Sequence, residues 1–248
     1  MYAGGMFRPT VSSLFLLVFT LASLGRAQQP ASAAGTAPTA SPFVQPAAVP
    51  APGPSQVIVL LHEALELLQK KDIDGALDKV NAAIKLDPNN PDGYGLRGGI
   101  YAEKKIWDKS EQDYNAILKL DPKNVQAKFN LAEIAFMQKK YDAARPGFVA
   151  LQQDSNWGDL STYKVFLCDL WGGHSDMAAK ELAAFEKVGS GASYYFAEAA
   201  WYLYQKKPED ARGWLVSAVN IYSPAKFKMY SASLFDLGYL PLPPQQKS

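Results

Sequence analysis

One phrase recurs along this chain at an even spacing, and it limits what the chain can fold into. Trp107 to Pro122 reads WDKSEQDYNAILKLDP. Ser110, Tyr114 and Ile117 stand at i, i+4 and i+7, which is one face of an α-helix. Asp121-Pro122 closes that helix, because proline disfavours helix at the residue before it. An earlier copy of the phrase runs Ile73, Ala76, Val80 and Ala83, followed by Leu86-Asp87-Pro88. A later copy runs Tyr141, Ala144, Phe148 and Leu151, with Asn156 in the proline's place. Ile73, Trp107 and Tyr141 are evenly spaced, as are Pro88, Pro122 and Asn156. A period of this length, about 34 residues, is the mark of stacked helical hairpins, none of which can bury its apolar face alone.

The first helix of each pair carries its own pattern: Leu60, Ala64, Leu67; then Tyr94, Gly98, Tyr101; then Lys128, Ala132, Ala135. Each set runs i, i+4, i+7 with a small residue in the middle. Ala76, Ser110 and Ala144 offer small residues from the partner helix, so the two helices can approach closely. Asn89-Asn90-Pro91-Asp92 and Lys123-Asn124 read as turns between hairpins. Beyond residue 156 the pattern thins. Ala178, Leu182 and Phe185 read as a fourth second helix. Ala211, Leu215 and Ala218 read as a fifth, one position short of the even spacing. Tyr195, Ala199 and Tyr202 make the fifth first helix. In register, the fourth first helix gives Thr162, Phe166 and Asp169 with no small residue, which predicts a rotated or irregular helix. Pro224 opens a last helix, Ala225 to Leu237, with Gly238 ending it. Its expected role is to cap the last apolar face.

These residues resemble the tetratricopeptide repeat (TPR) family, exported bacterial type, over roughly residues 57–223. The resemblance is strongest in the first three pairs. It implies an all-α fold: a right-handed superhelical TPR solenoid of about five helix hairpins plus a C-terminal capping helix.

The N-terminus reads as a targeting segment. Arg8 precedes an uncharged apolar run, Val11 to Leu24, and Gly25-Arg26-Ala27 follows. That layout predicts a signal peptide cleaved after Ala27. A membrane span needs roughly 20 apolar residues, more than this run supplies; the alternative is an uncleaved anchor helix. No Asn-x-Ser/Thr sequon occurs in the chain, which favours a bacterial envelope over a glycosylated secretion route. Residues 28–55 hold seven prolines and eight alanines and no charge. They read as a Pro/Ala-rich disordered linker, either a spacer or a featureless tail. Residues 56–240 are the expected repeat domain, and 241–248 a disordered tail.

Charge and composition narrow the function. The net charge is +1, from 25 basic and 24 acidic residues. Removing residues 1–27 takes away Arg8 and Arg26 and no acid, which leaves 23 basic against 24 acidic. That balance gives no electrostatic case for nucleic acid. One cysteine, Cys168, excludes an internal disulfide. It sits among Val165, Phe166, Leu167 and Leu170 and reads as a buried, inert thiol. Gly93 to Gly98 matches G-x-G-x-x-G by letter, yet the motif needs a preceding strand, and here it falls inside a repeat helix. His62 and His174 have no second metal-type ligand at helical spacing and read as surface or partly buried residues. Asp108, Glu111 and Asp113 are expected on solvated helix faces. No catalytic, cofactor-binding or metal-binding constellation is found.

The TPR resemblance implies that the first helices line a concave groove that holds a protein or peptide segment. Carried onto this sequence, the groove residues are Leu61 and Leu65, Phe129, Glu133 and Phe136, Tyr163 and Trp171, and Phe196, Leu203 and Tyr204. The open alternative is that much of this stripe packs against neighbouring helices. One TPR subgroup grips C-terminal carboxylates with Lys, Asn and Arg; only Asn130 and Lys164 match here, with Gly95 and Gly99 at the leading positions. The expectation is therefore a non-catalytic, exported protein-binding scaffold of the periplasm or extracellular space. It has no nucleic-acid partner, no cofactor and no membrane span once the signal is cleaved. The rivals are a tethered assembly or biogenesis factor for an envelope complex, and an enzyme with an unrecognised site.

Overall fold

A computed structural model describes residues 54–188 and 191–240. The expected signal segment, nearly all of the linker and the C-terminal tail lie outside the described residues. Eleven helices and no strand occur among the described residues. They are α1 (Pro54–Gln69), α2 (Ile73–Leu86), α3 (Pro91–Glu103), α4 (Trp107–Leu120), α5 (Val125–Met137) and α6 (Tyr141–Val149). Then follow α7 (Gly158–Gly172), α8 (Ser175–Val188), α9 (Ala192–Tyr204), α10 (Pro208–Ile221) and α11 (Pro224–Asp236). The chain is an all-α solenoid of five hairpins, α1–α2 to α9–α10, followed by one further helix. The first helix starts at Pro54, inside the expected linker, because proline is preorganised for the first turn.

Local chemistry sets the helix ends. Asp72, Asn90 and Asn124 accept hydrogen bonds from the backbone N–H of Gly75, Asp92 and Ala127 at 3.0, 2.8 and 2.9 Å. Each satisfies a donor that the helix start leaves free. Asp87 and Asp121, both before proline, take extended backbone and end α2 and α4.

Each hairpin turn uses one device. Lys71, Lys105, Lys139 and Lys206 all adopt φ between 57° and 63°, and Gly173 takes φ 90° in the fourth hairpin. The next residue's N–H then reaches back to the carbonyl five residues earlier. The bonds run from Asp72 to Leu67, Ile106 to Tyr101, Lys140 to Ala135, His174 to Asp169 and Lys207 to Tyr202, all at 2.8–2.9 Å. This is the Schellman closure, which satisfies carbonyls at the helix end through one left-handed residue.

Small residues bring the paired helices together as expected. Ser110 Oγ donates to the Gly98 carbonyl at 2.7 Å, joining α4 to α3. A Cβ placed on Gly147 would stand 2.8 Å from Ala132 Cβ, so α6 and α5 touch there. Ala64, Ala76, Ala144, Ala178 and Ala211 are fully buried.

Two departures shape the second half. Pro146 lies inside α6, which is only nine residues long. Proline removes an internal hydrogen bond and crowds the preceding turn, and the chain leaves helix at Val149 while Leu151 remains buried. The fourth first helix, α7, is an uninterrupted α-helix of 15 residues, and what sets it apart is its packing. It packs more extensively on α6 and α9 than on its own hairpin partner α8, and it is buried on almost every side.

The second departure is α11. Ser223 Oγ caps it at the Lys226 N–H, Pro224 opens it, and Gly238 follows its end at φ 78°, much as the sequence implies. It packs on α9 and α10, as a terminal cap should. It also reaches back across α9 to α7, where its side chains meet Asp159, Tyr163 and Lys164. A helix that only covered the end of the stack would not touch the fourth hairpin.

Candidate functional site

The first helices α5, α7 and α9 present the stripe on which the groove is expected. Most of its aromatic members are covered. Phe129, Phe136, Tyr163 and Phe196 are fully buried, and Glu133, Leu61, Leu65 and Leu203 nearly so. The expectation of an open aromatic groove is therefore corrected at these positions, and the physical reasons differ along the chain.

Leu61 and Leu65 belong to the core between α1, α2 and α3, with Val57, Ala76, Val80, Leu96 and Ile100. Phe129 fills the joint between the third hairpin and the start of α7. Its ring lies 5.3 Å from Phe148 and 4.5 Å from Trp157, centroid to centroid. Phe136 packs edge-on against Tyr141 and Phe148. Tyr204 stays exposed on the rim, beside Trp201.

The remaining residues are brought together, and α11 lies over them. Phe227 and Tyr230 pack on Phe196 at 5.3 and 5.4 Å, and Tyr230 lies 5.6 Å from Tyr163. Tyr239, just beyond the helix, stacks on Trp171 at 5.2 Å. Two polar anchors hold α11 in place. Lys164 Nζ, 1% exposed, donates to Glu133 Oε1 and to Ser233 Oγ, each at 2.6 Å, and stands 4.7 Å from the Phe136 ring. A buried ammonium needs such partners, because burial of an unpaired charge is costly. Asp159 accepts from the Tyr230 hydroxyl on one oxygen and from Ser193 Oγ at 2.5 Å on the other. Burial, followed by that hydrogen bond, keeps the Tyr230 phenol far above its usual range, so it stays a donor.

The face keeps polar capacity that α11 does not use. Glu133 Oε2, Asn130 Nδ2, the Tyr163 hydroxyl and Trp171 Nε1 are buried without a hydrogen-bond partner in the protein. Burial, with the Glu133 charge next, raises Tyr163 well above the phenol range.

Asp159, Ser193, Tyr230 and Ser233 are site residues that sequence reasoning missed. A signal existed in α11 itself: Phe227, Tyr230 and Leu234 fall at i, i+3 and i+7, with Ser233 beside them. That is an amphipathic face carrying hydroxyls, where a plain cap needs only apolar residues.

Elsewhere, Asp113 corrects an expectation. It is buried and takes a two-pronged contact from Arg97 at 3.0 and 2.7 Å, while Arg97 also reaches Asn81 at 2.7 Å. The charge ties three helices together, a pairing too distant in sequence for helical spacing to reveal. Arg145 makes the equivalent fork to buried Asp169 and approaches Glu181 at 3.5 Å. Burial, then the Asp169 charge and a hydrogen bond with it, push Glu181 up to about 8 against the pull of Arg145. Gly93 to Gly98 lies inside α3, where Gly93 gives way to Ile84 rather than to a phosphate. His62 is exposed; His174 is exposed beside Asp142 at 3.0 Å. Cys168 is buried, and burial raises its thiol far above the reactive range. Among the described residues, no three His, Cys, Asp or Glu side chains are grouped to hold a metal ion. No described helix is long and apolar enough to cross a membrane.

A family model described as tetratricopeptide repeat matches residues 61–125 and 107–156. No curated protein matches the chain. Among solved structures, a tetratricopeptide repeat protein from Parabacteroides merdae is similar at TM-score 0.55 and 19% identity, with 72% of this chain and 71% of that one covered. PilW, a type IV pilus biogenesis factor, is similar at TM-score 0.54 and 16% identity, with 74% and 86% covered. The MamA RS-1 ArsTM double mutant is similar at TM-score 0.51 and 14% identity, with 66% and 93% covered. At these identities the likeness is one of fold.

Proposed function

The chain belongs to the tetratricopeptide repeat proteins, and from that premise we propose that it is a non-catalytic scaffold of the cell envelope. It holds a segment of another protein against the first helices of its third to fifth hairpins. One observation carries the reading: α7 and α9 together present aromatic shelves and buried polar anchors to a helix laid across them, with Glu133 of α5 pairing the Lys164 anchor. Helix-in-groove recognition needs that combination of apolar anchors and a few fixed polar contacts. The ionisable groups of the face are engaged in pairing, Lys164 with Glu133 and Asp159 with Tyr230, which favours binding over proton transfer. The near-neutral charge balance favours a protein partner over nucleic acid.

Export rests on Arg8, the apolar run Val11 to Leu24, and Ala27 at the expected cleavage point. Mass spectrometry of the protein from its own host is expected to find Gln28 as the first residue. Intact chain in the membrane fraction would replace export with anchoring.

The binding face is tested by photo-crosslinking in the host. A photoreactive residue in place of Tyr204 or Trp171 is expected to capture a protein. The same residue in place of exposed Ala179, on the second helix α8, is expected to capture none. Capture from Ala179 alone would move the partner to the outer face and end this reading.

A further inference from the structure

The inner face is already occupied, and its occupant describes its ligand. Residues Tyr230 to Leu234 of α11 are all buried, Tyr230 against Tyr163 of α7 and Phe196 of α9 and Ser233 against Lys164 of α7. The contacts of α11 are those of a bound ligand: aromatic rings on Tyr163 and Phe196, a hydroxyl on Asp159, a hydroxyl on Lys164. The fit is incomplete. The Tyr163 hydroxyl and Trp171 Nε1, on rings packed against Tyr230 and Tyr239, and Glu133 Oε2, beside the Lys164 anchor, have no hydrogen-bond partner in the protein. A buried polar group without a partner is disfavoured, and a native interior keeps few of them. A ligand able to satisfy one or two more would outcompete α11 contact for contact. The tether opposes this, since a covalently attached helix competes at high effective concentration.

We propose that α11 is an internal occupant of the binding face and that the partner segment is an amphipathic helix that displaces it. This rests on the reading of the inner face given above. The displacing helix carries an aromatic donor and a second polar side chain three residues later, matching Tyr230 and Ser233. The aromatic group sits on Phe196 and donates to Asp159. The polar group accepts from Lys164 and, if longer than serine, also reaches Glu133, which pairs with the same ammonium. An extended peptide does not meet these anchors with the same spacing, because Tyr230 and Ser233 lie on one side only when the chain is helical. While α11 is seated, apparent affinity falls by the fraction of molecules in which it is open.

Two measurements on the full mature chain test the proposal. Hydrogen exchange followed by mass spectrometry reads the opening directly. Amides of residues 226–239 are expected to exchange well before those of α7 and α9 under native conditions. Exchange of α11 only together with α7 and α9 would make it a fixed part of the core and overturn the proposal. The second measurement uses a fluorescent synthetic peptide of residues 222–240 as the probe. The double variant Tyr230→Phe, Ser233→Ala loosens the resident helix and leaves Asp159 and Lys164 in place. It is expected to bind the peptide on the order of tenfold more tightly than the unmodified chain. Adding Lys164→Met to the double variant is expected to abolish the gain. Equal affinity of the double variant and the unmodified chain, with helix content unchanged, would overturn the proposal. Should the double variant not fold, the exchange experiment on the unmodified chain decides alone. Crosslinking from Tyr204 without early exchange of α11 would retain the binding face and remove only the displacement.

Discussion

The hairpin turns put a left-handed backbone on lysine four times, at Lys71, Lys105, Lys139 and Lys206. A side chain at such φ crowds the following carbonyl and costs roughly 1–2 kcal/mol, a penalty glycine escapes. Lys139→Gly is therefore expected to stabilise the fold by about 1 kcal/mol in urea melts, once glycine's greater unfolded-state entropy is deducted. A second residue-scale effect sits at Glu181. Its folded pKa is raised to about 8 by burial and by Asp169. A carboxyl raised on folding contributes its stability fully below its ordinary value of about 4.3. That contribution is lost as pH rises through the folded value. Stability is expected to fall across this window by on the order of 1–2 kcal/mol from this group, allowing for its partial exposure. Glu181→Gln is expected to flatten the slope, read as urea midpoints from pH 5 to pH 9.

Helices meet where residues are small, and large side chains fill what is left. Ala132 faces Gly147 at the α5–α6 crossing, so Ala132→Leu has nowhere to put its added carbons. Overpacking of this kind typically costs about 1–3 kcal/mol. Phe136 lies in the opposite regime, enclosed by Tyr141, Phe148 and Trp171. Phe136→Ala removes a buried ring and leaves a cavity, at a cost of roughly 3–5 kcal/mol. Thermal melts are expected to place Phe136→Ala below Ala132→Leu. An unchanged melting temperature in Phe136→Ala would contradict the enclosure of this residue.

The solenoid divides its core. One cluster joins α1, α2 and α3; a small one centres on Tyr114, Ile117, Ala127 and Ile134; the largest runs from Phe129 to Leu234. In a stacked array each hairpin contacts only its neighbours, so stability is close to a sum of local terms. Here α11 closes part of the array on itself by bridging the fourth and fifth hairpins. Ala76→Leu, at the α1–α2 crossing, is expected to speed hydrogen exchange in α1 and α2 while leaving α7 to α9 protected. Uniform acceleration along the chain would show a single cooperative unit instead.

The sequence by itself determined the repeat unit and most of its boundaries. The even spacing of the repeated phrase, the small residues at Ala76, Gly98, Ser110, Ala132 and Ala144, and the Asp-Pro endings act within one hairpin or between adjacent ones. Helical periodicity reads such short-range constraints directly. The break in that periodicity marks α7 as different from the other first helices, and α11 is legible as a helix with proline at its start and glycine at its end. Where α11 lies is not legible. Tyr230 meets Asp159 and Lys164 meets Ser233 from opposite ends of the last two hairpins. No periodicity encodes a pairing at that distance. Phe129, Phe136, Tyr163 and Phe196 carry the same register as residues of an open groove, and their burial depends on what is laid over or beside them. Asp113 reads as solvated for the same reason, since Arg97 comes from another helix. Tertiary structure alone decided which apolar stripe became core and which helix covered it, because burial belongs to the neighbours a residue meets and not to the residue.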